Sequence, residues 1–102
     1  MGVDCSGLVQ VLFRVMGIDL PRDAWQQAQA GSVIKKFRNA LPGDLLFFDA
    51  KEDIVHVGIL IEPGLMIHSS GKVRLDAVDK KGIINPEIKS RKLNLKLITR
   101  IF

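Results

Sequence analysis

Asp4-Cys5-Ser6-Gly7-Leu8-Val9-Gln10-Val11-Leu12-Phe13-Arg14-Val15-Met16-Gly17 decides the fold class, because it is the longest stretch with a helical period and it comes first. Leu8, Val11, Leu12 and Val15 recur at i, i+3, i+4 and i+7, and Val9 and Met16 widen the stripe. One face of a helix is therefore predicted to pack on a core. Asp4 is placed to cap this helix and Gly17 to stop it. A second, shorter helix is expected after Leu20, with Pro21 in its first turn, running through Asp23 to Ala28 and ending near Gly31.

Downstream the pattern changes to strands and turns. Leu41-Pro42-Gly43-Asp44 is a turn signal, followed by Leu45 to Phe48 as a short apolar strand. Ile54 to Ile61 alternates, with Val55, Val57, Ile59 and Ile61 on one face and His56, Gly58 and Leu60 on the other. The chain reverses around Pro63-Gly64 into Leu65 to Ser69. Val73 to Leu75, Ile83-Ile84 and Leu93 to Ile101 are further strand candidates, the middle one the weakest. Helices first and strands afterwards predict an α+β fold with an antiparallel sheet. The 102 residues fit one domain, 1–102, built round one core.

Composition narrows the function classes. The apolar fraction of 47% and charged fraction of 25% are those of a globular protein. No apolar run approaches the roughly 20 residues needed to span a bilayer. Met1 to Asp4 lacks the basic and then apolar opening of a signal peptide, so the chain as it stands reads as cytosolic, or as a piece of a longer protein. The net charge of +4 is unevenly spread, with nine Lys and Arg against three acids in residues 72–102. Those cations interleave with apolar residues, as in Arg91-Lys92-Leu93-Asn94-Leu95-Lys96-Leu97, which is the pattern of a half-buried strand with a solvated face. With no Tyr, one Trp and no aromatic-basic interleaving, the sequence gives little support to nucleic-acid binding, and none is expected. Nothing in the sequence bears on oligomeric state.

The single cysteine excludes an internal disulfide and a multi-Cys metal site. Cys5 falls at the first helical position, near unpaired backbone N–H groups and the positive end of the helix dipole, which favours the reactive thiolate. Gly7 removes side-chain bulk and is read as leaving room for a substrate backbone. Asp4 opposes ionisation of its neighbour, so a base is required. Both histidines lie on the predicted hairpin, His56 pointing away from the Val/Ile face. If His56 faces His68 directly across an antiparallel pair, the turn is centred on Glu62. A tight Pro63-Gly64 turn would instead set Ile59 opposite His68 and point His68 to the wrong face. Cys5, His56 and His68 together supply a nucleophile, a base and an orienting group. A metal site is the competing use, but no fourth ligand stands at a suitable spacing, so no metal and no cofactor are expected.

Gly2-Val3-Asp4-Cys5-Ser6-Gly7-Leu8-Val9-Gln10 resembles the nucleophile motif of the NlpC/P60 family of cell-wall peptidases. Leu20-Pro21-Arg22 with Gln27 resembles the family's second block, and Pro42-Gly43-Asp44-Leu45-Leu46-Phe47-Phe48 its third. His56-Val57-Gly58-Ile59 and Ile67-His68-Ser69-Ser70 resemble the blocks that carry the base and the third polar residue. The resemblance implies a papain-like α+β core, with the Cys-bearing helix packed on an antiparallel sheet. It implies hydrolysis of peptidoglycan stem peptides, commonly between γ-D-glutamate and the following diamino acid. Carried over, Cys5 attacks the carbonyl, His56 is base and then acid, and His68 orients His56. Asp4 and Ser6 match positions that in some members hold the substrate's free amino end.

The resemblance also implies work in the bacterial cell envelope. Family members usually carry a preceding segment with a helix and an aromatic, often Tyr, beside the active site. Here the chain begins three residues before Asp4-Cys5 and contains no Tyr. That leaves the Cys5 backbone N–H as the candidate oxyanion donor. It also sets a second expectation beside the first, a non-catalytic or weakly active module that binds wall peptides on the same fold.

Overall fold

The computed structural model describes residues 4–50, 53–69, 71–84 and 93–102. Gly2 and Val3 of the first block, Ser70 of the fifth and Arg91-Lys92 at the head of the basic strand lie outside the described residues.

Helix α1 spans Cys5–Val15. Asp4 caps it, accepting the Gly7 N–H at 2.7 Å. Gly17, at φ 83°, ends it: the Gly17 N–H donates to Arg14 O and the Ile18 N–H to Phe13 O, each at 2.9 Å, the paired closure that a left-handed glycine permits. The buried stripe, however, is Leu8, Val9 and Phe13, flanked by Cys5 and Leu12, whereas Val11 is 49% and Val15 81% exposed. The apolar arc of this helix is broad enough for two stripes. Periodicity alone does not choose between them, and docking through Val9 and Phe13 buries the larger side chain.

Helix α2 covers Ala24–Gln27 only. Pro21 stays outside the helix and Arg22-Asp23 form a bend, tied down by the fully buried Gln27, whose Nε2 donates to Pro21 O at 2.8 Å and Ser6 O at 3.0 Å. The bend is thus tied to the first turn of α1, and the second helix starts later than its sequence suggests.

The strands are β1 (Ser32–Val33), β2 (Leu45–Ala50), β3 (Asp53–Glu62), β4 (Leu65–Ser69), β5 (Val73–Ala77) and β6 (Asn94–Arg100). They form one antiparallel sheet in the order β1-β6-β2-β3-β4-β5. The α+β expectation of a helix on an antiparallel sheet therefore holds. The two-residue β1 carries too little pattern to be foreseen. Ile83 makes only an isolated bridge to Val78.

Leu45-Leu46-Phe47-Phe48 is apolar at every position because both faces of the sheet are covered. On the helix side, Leu45, Phe47, Val57 and Ile59 pack with Val9, Phe13 and Leu20. On the other, Leu46, Phe48, Leu60 and Met66 pack with Val78, Ile83 and Ile98, and Ile34, Phe37 (which opens a 3-10 turn, Phe37–Asn39) and Ala40 close over them. Each fully buried side chain of this size contributes about 1.5–3 kcal/mol. Asp44, buried at the head of β2, accepts the Leu41 N–H at 2.8 Å and pairs with Arg100 of β6 at 2.9 Å. The Pro42-Gly43-Asp44 block thus fastens a turn to a strand.

Candidate active site

Cys5 opens α1, half-buried against the helix-side core. Its Sγ lies 3.9 Å from the carbonyl oxygen of Val55, so the helix start meets β3 at the residue before His56. Burial pushes the Cys5 thiol up from its ordinary value, with the nearby Asp4 charge adding to the rise. Backbone N–H groups of Val57 and Ser6 pull the other way and are outweighed. Against the pull toward thiolate expected at the helix start, removal from water is the larger effect and raises the thiol.

At Gly7 a Cβ would stand 2.7 Å from Asp4 Oδ1 and 3.6 Å from the Arg22 guanidinium. The missing side chain makes room for the helix cap and its ion pair.

The two histidines meet, but not across a direct pair. Glu62 pairs with Leu65 through the tight Pro63-Gly64 turn, and a bulge at Ile61 then shifts the register by one. His68 consequently stands opposite Gly58, and His56 lies two residues along on the same face. His56 Nε2 and His68 Nδ1 share a hydrogen bond of 2.7 Å, with the rings nearly perpendicular at 86°. Gly58 makes this possible, since a Cβ there would lie 3.1 Å from His68 Cβ and 2.9 Å from Met66 Sδ.

Behind His68 stands a residue that the sequence reading missed. His68 Nε2 is 2.7 Å from Asp76 Oδ2 on β5, and Arg74 Nε lies 2.8 Å from the same oxygen. Arg74 pairs with His68 in register, and Asp76 is two residues along on the same face. His68 is fully buried, and His56 and Asp76 nearly so. Burial pushes His68 below the ordinary imidazole value, more than Asp76 raises it. The available signal was the alternation of Val73-Arg74-Leu75-Asp76: two charges at i, i+2 on the strand following the His68 strand. Read singly, they look like a solvated strand face.

Asp4 and Ser6 are joined by Arg22, which donates to Asp4 Oδ2 at 2.8 Å and to Ser6 Oγ at 3.0 Å. The Arg22 guanidinium, followed by the Gly7 N–H, holds the Asp4 carboxyl below the usual carboxylate range. The three side chains form one polar cluster at the start of α1. For metal binding, both nitrogens of His68 are engaged within the protein, and among the described residues no three His, Cys, Asp or Glu side chains are grouped to hold an ion. Nor is any helix among them long and apolar enough to cross a membrane.

A helix-borne thiol abutting the strand of a buried His pair, on an antiparallel sheet, is the arrangement of the papain-like α+β class. The NlpC/P60 family profile matches residues 1–92, and the chain belongs to that family. It is 42% identical over 71 residues to a γ-D-glutamyl-L-lysine dipeptidyl-peptidase of Bacillus subtilis, a stretch covering 67% of this chain and 24% of that protein. It is 40% identical over 70 residues to an Escherichia coli protein named murein DD-endopeptidase MepS/murein LD-carboxypeptidase, covering 68% of this chain and 37% of that one. The matches thus span well under half the length of these relatives. In structure it is similar to RipD of Mycobacterium tuberculosis, described as a non-catalytic NlpC/p60 domain protein adapted to peptidoglycan binding. The TM-score is 0.78 at 24% identity, covering 100% of this chain and 69% of that one.

Proposed function

We propose that the protein is a cysteine endopeptidase of peptidoglycan stem peptides, acting at the bond between γ-D-glutamate and the following diamino acid. The observation that carries this reading is the buried His56–His68 hydrogen bond on the strand whose backbone receives the Cys5 thiol. Family membership supports the peptidase class, and the name of the Bacillus subtilis relative, a γ-D-glutamyl-L-lysine dipeptidyl-peptidase, supports the bond.

In this mechanism Cys5 Sγ gives its proton to His56 and attacks the scissile carbonyl carbon. His56 Nε2 is committed to His68, so the accepting nitrogen is Nδ1. A thiol raised by burial makes this transfer necessary, because little thiolate stands ready. The tetrahedral oxyanion is held by the Cys5 backbone N–H. Collapse breaks the C–N bond, His56 returns the proton to the leaving amine, and water, deprotonated by His56, hydrolyses the thioester. Asp4 and Ser6 would receive the substrate's free amino end beside Arg22.

Rapid denaturation during turnover of a defined stem peptide, with intact-mass readout, tests this chemistry. The expected species carries the acyl portion of the substrate on Cys5 and is absent from Cys5→Ala. Turnover that persists in Cys5→Ala would refute the mechanism. The similarity in fold to RipD keeps a second reading, a wall-peptide binding module, which predicts saturable binding of the same peptide and no adduct.

A further inference from the structure

Three adjacent strands each place one polar group on the same face of the sheet: His56 on β3, His68 on β4 and Asp76 on β5. Two contacts of 2.7 Å join them in series, His56 Nε2 to His68 Nδ1 and His68 Nε2 to Asp76 Oδ2. At that separation each contact must contain a proton, since two lone pairs facing one another would repel. A carboxylate has no proton to give.

We propose that Asp76 is a positioning residue that sets the tautomers of both histidines, so that the nitrogen His56 offers to Cys5 is bare. This rests on the reading of His56 as the base. The logic runs outward from the carboxylate. Asp76 Oδ2 accepts, so His68 Nε2 carries the hydrogen. His68 is fully buried, which disfavours its charged form, and in the neutral ring Nδ1 is then a lone pair. That lone pair accepts from His56, which places the hydrogen of His56 on Nε2. Neutral His56 is left with an unprotonated Nδ1, the form required to take the thiol proton.

Arg74 completes the device. It sits directly across from His68 and supplies the counter-charge to Asp76 at 2.8 Å. When His56 accepts the thiol proton, its Nε2–H continues to donate to His68 Nδ1. No hydrogen in the series moves, and the Asp76 charge lies one ring behind the new imidazolium.

With only two histidines in the chain, the test is direct. The full chain labelled with 15N-histidine gives four ring-nitrogen signals, and long-range 1H–15N correlation reports which nitrogens carry hydrogen. The expected pattern near neutral pH is protonated Nε2 and bare Nδ1 in both rings. In Asp76→Ala the His68 signals move toward a mixture of tautomers, and kcat on a defined stem peptide falls about 10–100-fold with KM little changed. Asp76→Asn retains an oxygen acceptor and restores both readouts toward wild type. A wild-type His68 protonated at Nδ1 would overturn the proposal. So would a folded Asp76→Ala that keeps the wild-type tautomers, whatever its activity. Where Asp76→Ala fails to fold, the wild-type spectrum and Asp76→Asn decide. The expected tautomers in a chain that binds the peptide without cleaving it would leave the positioning role standing and refute the peptidase reading alone.

Discussion

Cys5 is where two effects of opposite sign meet. The first turn of α1 favours a negative sulfur, whereas half-burial and the neighbouring Asp4 disfavour it, and burial is the larger. A raised thiol is protonated over a wider pH range than a free one, so thiolate is scarce at neutral pH. The pH profile of iodoacetamide alkylation of folded Cys5 is accordingly expected to have a midpoint above the ordinary 9.0, moving back toward that value on unfolding. A midpoint well below it would reveal a preformed thiolate and remove the need for a proton transfer to His56. At this scale the sequence was most legible for its rarest residues. One Cys and two His leave few combinations. Asp76 is one of eleven acids, and only the pairing of β4 with β5 separates it from the rest.

Among the elements, the β3–β4 hairpin shows how local pattern and observed register diverge. The alternation of Ile54 to Ile61 assigns His56 and Gly58 to one face, and the structure keeps them there. The turn is the tight one that, in a regular ladder, would point His68 to the wrong face. One extra residue at Ile61 restores it to the same face as His56. A bulge leaves no composition signature in so apolar a stretch, so Gly58 as the residue directly across from His68 was not predictable.

The consequence is that Gly58 is fixed by close approach of β4. Gly58→Ala is expected to destabilise the fold by about 1–3 kcal/mol through overpacking against His68 Cβ, Met66 Sδ and Ile67 O. Urea unfolding measures it. Stabilisation by the roughly 0.5–1 kcal/mol that alanine ordinarily gains over glycine in a strand would show that the contact is not tight. Likewise, α1 was legible in its bounds and caps. Its docking face was not, because the choice between Val11/Val15 and Val9/Phe13 is made by the sheet beneath it.

For the whole molecule, the order of helices before strands was enough for the α+β class, and the five blocks for the family that residues 1–92 match. The double-sided core was legible in the uninterrupted Leu45–Phe48 run only in hindsight. Its outer cover comes from irregular segments, Ile34 to Ala40 and Val78 to Ile83, that carry no periodic signal. The pairing of β3 with β4 and of β4 with β5 brings His56, His68 and Asp76 into one line. The relatives' names already differ in the bond cleaved, so the substrate is not decided by the fold.

The most direct measurement is digestion of a defined stem peptide containing a γ-D-glutamyl–diamino acid bond, with the products identified by mass. The wild-type chain is expected to release the two fragments of that single bond, and His56→Ala and Cys5→Ala to release neither. Binding of the peptide by folded wild-type protein with no fragment formed would contradict the account, and so would cleavage undiminished in His56→Ala.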